Sequence, residues 1–149
     1  AAGIELGIAS PRIGVCGVNP HAGEEGLLGD EDLRLVKPAI ELAQQQGINA
    51  AGPFPADTLF HRAHNRGFDL VVAMYHDQGL IPVKLIAFDQ AVNSTLGLGT
   101  PRTSPDHGTA FDIAGHDKAD PGSMAAAIRL AAQLAQHRHD AQLAPASRH

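Results

Sequence analysis

Residues 69–79, DLVVAMYHDQG, set a short β-branched apolar run directly against a histidine and a carboxylate. The run reads as a strand. It is the clearest strand in the chain. A second run, RIGVCGV over 12–18, is continuously apolar rather than alternating, the pattern of a strand buried on both faces of a parallel sheet. It closes on NPH, which puts His21 past its end after two intervening residues. Between them, DEDLRLVKPAIELAQQQG (30–47) places Leu33, Val36, Ile40 and Ala43 at helical spacing. Acidic residues open that helix and Gly47 stops it, while Pro38 either kinks it or begins a second one. Strand, helix, strand is the rhythm of a three-layer α/β/α domain, in which ligands gather at the carboxyl ends of the strands. His21 and His76 both fall on that side.

Outward from this centre the pattern weakens. GPFPADTLF (52–60) reads as a loop whose prolines define a turn. A short helix is expected over 77–87, with Pro82 near its first turn, and a further strand in AVNSTLG (91–97). TPRTSPDHGTAFD (100–112) reads as loop. Met124, Ile128, Ala131 and Leu134 give a last helix its stripe, with Ser123 as a candidate cap. The tail from His137 is polar and expected to fray. The opening AAGIELGIASP has no initiator methionine and reads like a helix end and a turn at Gly7, so a fragment of a longer chain is expected.

Composition narrows the function classes. At 149 residues the chain fits one domain and can bury a core without staples. The formal net charge is −5, without a basic block, and tryptophan is absent, which argues against nucleic-acid binding. No apolar run reaches the ~20 residues needed to span a bilayer. The single cysteine, Cys16, lies in an apolar run and reads as a buried hydrophobe, in keeping with a reducing, cytoplasmic setting.

His76 can be a structural imidazole, held by Asp77 or a carbonyl, or a metal ligand whose second nitrogen is fixed by an acceptor. Two histidines do not close a metal site. Asp57, Asp77 and His107 are internal candidates for a third ligand, and missing sequence or another subunit is the alternative. Lys84 and Arg102 lie in or beside loops of special geometry in a chain poor in cations. At a pocket they could clamp a phosphate or carboxylate; elsewhere they are solvated surface groups. Asn93 can turn the backbone or bind an anion. HAGEEGLLG matches neither a dinucleotide fingerprint nor a phosphate-binding loop with its lysine. Asp106 and His107 could pair with each other or cap a turn.

Taken together, CGVNPHAGEEG, GPFPADTLF, AMYHDQGLIPVK and AVNSTLGLGTPRTSPDHGTAFDIAG resemble the 4-hydroxythreonine-4-phosphate dehydrogenase family of vitamin B6 biosynthesis, over about residues 12–134. The resemblance implies a fold like that of isocitrate and isopropylmalate dehydrogenases. It also implies a homodimer of two-domain subunits, of which this chain is the later half. Residues 1–136 would be the half-domain with the metal and substrate residues, and 137–149 the tail. His21 and His76 match two of three histidines that hold zinc, magnesium or cobalt in the family; the third has no counterpart here. Lys84, Asn93 and Arg102 match residues that bind the phosphorylated substrate, and Asp57 matches an acidic pocket position. Lys84 and Asp57 would be the catalytic candidates.

The implied activity is metal-dependent oxidation of 4-phosphooxy-L-threonine by NAD or NADP, with decarboxylation to 3-amino-2-oxopropyl phosphate. Gly99-Thr100-Pro101 departs from the family's bulkier apolar link before the arginine, which puts the aim of Arg102 in question. Alternatives are a dehydrogenase of another phosphorylated hydroxy acid, such as 4-phosphoerythronate, and a noncatalytic metal- or ligand-binding domain.

Overall fold

The computed structural model describes residues 6–143. The chain divides into two compact units rather than one: Ala9–Pro82, and a second that holds residues 6–8 and the described residues from Val83 onward. The strands are β1 (Ile13–Cys16), β2 (Ala50–Phe54), β3 (Leu70–Val72), β4 (Val92–Thr95) and β5 (Arg102–Pro105). The helices are α1 (Lys37–Gln45), α2 (Ala56–His64), α3 (His76–Ala87) and α4 (Gly122–Leu143).

In the first unit, β1 is the middle of a three-stranded parallel sheet of order β2-β1-β3. Ile13 pairs with Ala50 on one side and Leu70 on the other. Side chains alternate across the sheet, so β1 serves two helices. Ile13 and Val15 pack with Ala50 and Met74 against Val36, Ile40 and Ala43 on and just before α1. Gly14 points the other way, where Leu59 of α2 comes so close that a Cβ on Gly14 would lie 2.7 Å from its Cδ1. A side chain there would drive α2 off the sheet. The result is helix, sheet, helix: the three-layer α/β/α architecture, with β1 buried on both faces as its continuous apolarity requires. Cys16 is fully buried, and burial pushes its thiol up to about 11, so it serves as a small hydrophobe.

Several local expectations change. GPFPADTLF is not a loop; it holds the end of β2 and most of α2, with Pro55 at the junction. Pro38 falls in the first turn of α1, after a widened π-type turn over Asp32–Val36, so the helical pattern bends its hydrogen bonding without stopping. Leu33 is exposed, and Asp32 is buried in its place. Pro82 lies well inside α3 rather than near its start. It leaves the Gln78 carbonyl without its helical donor, and the two units divide there.

The second unit is built from an antiparallel β4–β5 pair and α4. β5 lies in the stretch expected to be loop; the β4 ladder makes it a strand. Register places Val92, Ser94, Thr103 and Pro105 on one face and Asn93, Thr95, Arg102 and Ser104 on the other. Thr103 donates to the Ala127 carbonyl at 2.8 Å, so the first face meets α4. Ser123 does not cap α4. Its buried Oγ donates to the Ala91 carbonyl (2.7 Å) and accepts from the Asp106 N–H (3.1 Å), joining the ends of both strands to the helix. Of the expected stripe Leu134 is buried and Ala131 half-buried, but Met124 and Ile128 face outward, the latter 64% exposed, and Ser123 and Ala127 are buried in their place. The helix continues past His137 to Leu143; the rest of the expected tail lies outside the described residues.

Candidate functional site

Each strand of the parallel sheet delivers one candidate residue just past its carboxyl end. His21 follows β1, Asp57 is the second residue of α2 after β2, and His76 opens α3 after β3. The order β2-β1-β3, with α1 and α2 on opposite faces, puts β1 at the point where the chain reverses direction across the sheet. Loops splay apart at such a point and leave room for a ligand. All three side chains are exposed.

The loop after β1 is unusual in its backbone. His21, Ala22, Gly23, Glu24 and Glu25 take φ of 53, 55, 82, 42 and 57°, a left-handed turn within Pro20–Gly26. Only Gly23 does so freely. It is buried, and a Cβ there would lie 2.7 Å from the Gly29 carbonyl oxygen. The four other residues are strained, which persists only where the surroundings over-determine the shape. The surroundings here are hydrogen bonds. Asp32, 0% exposed, accepts the N–H of Val18 (2.8 Å) and of Asn19 (2.9 Å). Asn19 in turn donates to Glu31 (2.7 Å), which holds the Glu31 carboxyl below its usual range.

On this turn His21 Nδ1 lies 2.7 Å from Glu24 Oε1. The hydrogen bond and charge of Glu24 raise the His21 pKa, and Asp57 adds a smaller through-space contribution of the same sign. Asp57 accepts the Thr58 N–H at 2.9 Å through one oxygen. Gln78 ties the second histidine's turn to the first strand: it accepts the Met74 N–H (2.7 Å) and donates to the Gly17 carbonyl (2.8 Å). Sequence reasoning passed over Asp32, Glu24 and Gln78. The spacing of Asp32 from NPH carries no local signal, and the glutamates of HAGEEG read simply as an acidic loop.

Neither Asp77 nor a carbonyl holds the His76 ring among the described residues, so its structural reading lacks the expected partner. The donor chemistry suits a divalent ion of the zinc class: exposed imidazoles at strand ends, one with its second nitrogen already engaged. The set is partial. Among the described residues, no group of three or more His, Cys, Asp or Glu side chains could hold a metal ion.

The second unit presents Asn93 and Arg102 on one polar hairpin face, with Thr95 and Ser104 beside them. Arg102 Nη1 donates to Thr95 Oγ1 at 3.0 Å, which fixes one edge of the guanidinium and leaves its other donors outward. Lys84 is already engaged. Its Nζ pairs with Asp106 Oδ2 at 2.9 Å, donates to the Asp106 carbonyl, and lies 5.2 Å from the Phe88 ring centroid. Asp106 therefore pairs with Lys84 and not with His107, whose Nδ1 donates to the Gly108 carbonyl. A cavity of about 560 Å³, lined in part by Phe88, His107, Ile113 and Ser123, adjoins this pair.

Residues 2–131 match the family described as pyridoxal phosphate biosynthetic protein PdxA. The chain is 60% identical over 130 residues to a 4-hydroxythreonine-4-phosphate dehydrogenase of Xanthobacter autotrophicus, covering 87% of this chain and 37% of that protein. It is 56% identical over 130 residues to a D-threonate 4-phosphate dehydrogenase of Pectobacterium atrosepticum, covering 87% and 40%. A crystal structure of a 4-hydroxythreonine-4-phosphate dehydrogenase from Klebsiella pneumoniae superposes with a TM-score of 0.79 at 55% identity, over 89% of this chain and 40% of that one. The chain thus spans well under half the length of these relatives.

Proposed function

Because the chain belongs to the PdxA family of pyridoxal phosphate biosynthetic proteins, we propose that it is part of an NAD(P)- and divalent-metal-dependent dehydrogenase. The substrate is 4-phosphooxy-L-threonine, oxidised and decarboxylated to 3-amino-2-oxopropyl phosphate by a cytoplasmic homodimer. The observation that carries this reading is the delivery of His21, Asp57 and His76 from the carboxyl ends of three adjacent strands. His21 and His76 would hold the ion, with further ligands from outside this chain. A divalent ion, when bound, supplies Lewis acidity that makes an alcohol easier to deprotonate and oxidise. NAD or NADP accepts the hydride.

The remaining roles belong to the protein's own side chains. Arg102 offers a planar fork to the phosphate, oriented by Thr95, and Asn93 adds a neutral donor on the same hairpin face. Lys84 binds an anion only by exchanging Asp106 for it, so its charge contributes less than that of Arg102. Asp57, with one oxygen held by its own helix, keeps the other for a substrate proton.

The similarity to a D-threonate 4-phosphate dehydrogenase favours a second substrate reading, another phosphorylated hydroxy acid. NAD(P)H formation by the full-length protein decides between them, with 4-phosphooxy-L-threonine, D-threonate 4-phosphate and 4-phosphoerythronate compared with and without added zinc, magnesium or cobalt. Metal-dependent turnover of the first at the highest kcat/KM is the expected result. Preference for either of the others moves the substrate assignment. No turnover together with tight cation binding supports a noncatalytic binding domain.

A further inference from the structure

We infer that Glu24 is a positioning residue: its carboxylate fixes the His21 ring so that Nε2 presents its lone pair to a divalent cation. This rests on the reading of His21 as a ligand. The Nδ1–Oε1 separation of 2.7 Å is a full hydrogen bond, and an ionised carboxylate can only accept. The proton between them therefore sits on Nδ1 in the neutral ring, and Nε2 is left as the acceptor. A histidine side chain free in water favours the opposite tautomer, with the proton on Nε2. Glu24 thus prepares the form that a cation needs, and it also restricts rotation of an otherwise exposed ring.

The backbone sets up this pairing. The left-handed turn carries His21 and Glu24 three residues apart, and both are themselves left-handed, with φ of 53 and 42°. The turn is pinned behind them by the two N–H groups that Asp32 accepts and by the Leu28 N–H to the Gly23 carbonyl at 3.0 Å. A surface ion pair alone would give no reason for four strained non-glycine residues within one turn. An imidazole that must face one way does.

The test reads the tautomer directly. Long-range proton–nitrogen NMR of the metal-free, full-length protein, recorded well above the histidine titration range, assigns the His21 signal by its loss in His21→Gln. The wild type is expected to show Nδ1–H, Glu24→Gln to retain it through the amide oxygen, and Glu24→Ala to revert to Nε2–H. Titration with Co²⁺, followed by its visible absorption, is expected to show about 10–100-fold weaker binding in Glu24→Ala and little change in Glu24→Gln. An Nε2–H ring in the wild type, or an unchanged tautomer and affinity in Glu24→Ala, overturns the inference. A tautomer switch with no Co²⁺ binding by the wild type overturns the ligand reading of His21 instead, so the two failures are distinguishable.

Discussion

The two units carry their candidate residues in different ways. In Ala9–Pro82 the residues sit on loops and helix starts beyond the strands, and a strained turn anchored by the buried Asp32 aims one of them. In the second unit Asn93 and Arg102 sit on the strands themselves, and cross-strand register alone puts them on one face. The first arrangement supplies a histidine whose partner nitrogen is already fixed, at the expense of backbone strain. The second supplies a flat polar face with little strain, open to adjustment by side-chain movement. Rigid placement suits an ion with demanding geometry, whereas a phosphate accepts donors from many directions. Disturbing the first unit should therefore act mainly on the ion, and disturbing the second mainly on substrate affinity.

The largest effect expected is that of His76→Ala, with loss of the bound cation and about 1,000-fold lower kcat/KM, checked by metal analysis and steady-state assay. Normal metal content in that variant would break the contrast at its strongest point. Leu59→Ala comes next. Leu59 is 0% exposed between α2 and β1, and its truncation should lower stability by about 2–5 kcal/mol in denaturant unfolding. A loss below that range would mean that the second helical layer contributes little.

Arg102→Lys should reduce kcat/KM by about 10–100-fold through KM for a phosphorylated substrate, because an ammonium cannot reproduce the fork. Thr95→Val should do the same to a smaller degree. An equal loss with a substrate lacking the phosphate would remove Arg102 from that role.

The smallest effect lies at the opposite end of the parallel sheet. Arg12, just before β1, holds Asp69, just before β3, through Nε and Nη2 at 2.9 Å each, and its backbone N–H adds a third bond at 2.8 Å. This pulls the Asp69 carboxyl down to about 2, below its unfolded value of about 3.9. The folded state thus binds the proton less readily than the unfolded state. The stabilisation is complete above the unfolded pKa and fades as pH falls toward the folded one. Asp69→Asn should flatten the decline of melting temperature between about pH 4 and 2 and leave kcat/KM near neutrality unchanged. A change in metal affinity would show that the two ends of the sheet are coupled.

Legibility followed the range of the interactions. β1 could be read because a strand buried on both faces writes its environment into every residue, as Val15 and Cys16 do, and β3 because it is a short apolar run with two β-branched residues, although Val72 is exposed. β2 and β5 could not. Ala50–Phe54 contains glycine and proline, and Arg102–Pro105 is polar; each is a strand because a neighbour offers a ladder. The last helix kept its period but turned its stripe, since the hairpin packs on Ser123 and Ala127, small enough for Thr103 to reach the helix backbone. His21 and His76 were legible as residues past strand ends. The left-handed turn was not, because four of its five residues disfavour that conformation when considered alone.

By itself, the sequence determined which chemistry is available: two imidazoles after apolar strands, a carboxylate in PADT, and a guanidinium and amide around a short polar run. These depend on composition and short spacing, which the chain carries locally. Only the tertiary structure decided that Glu24 holds the Nδ1 side of His21, that Asp32 anchors the turn beneath it, and that Lys84 is paired while Arg102 keeps donors free. Those outcomes depend on which distant groups meet across the fold, and hydrogen bonds between them have no periodic trace in the chain.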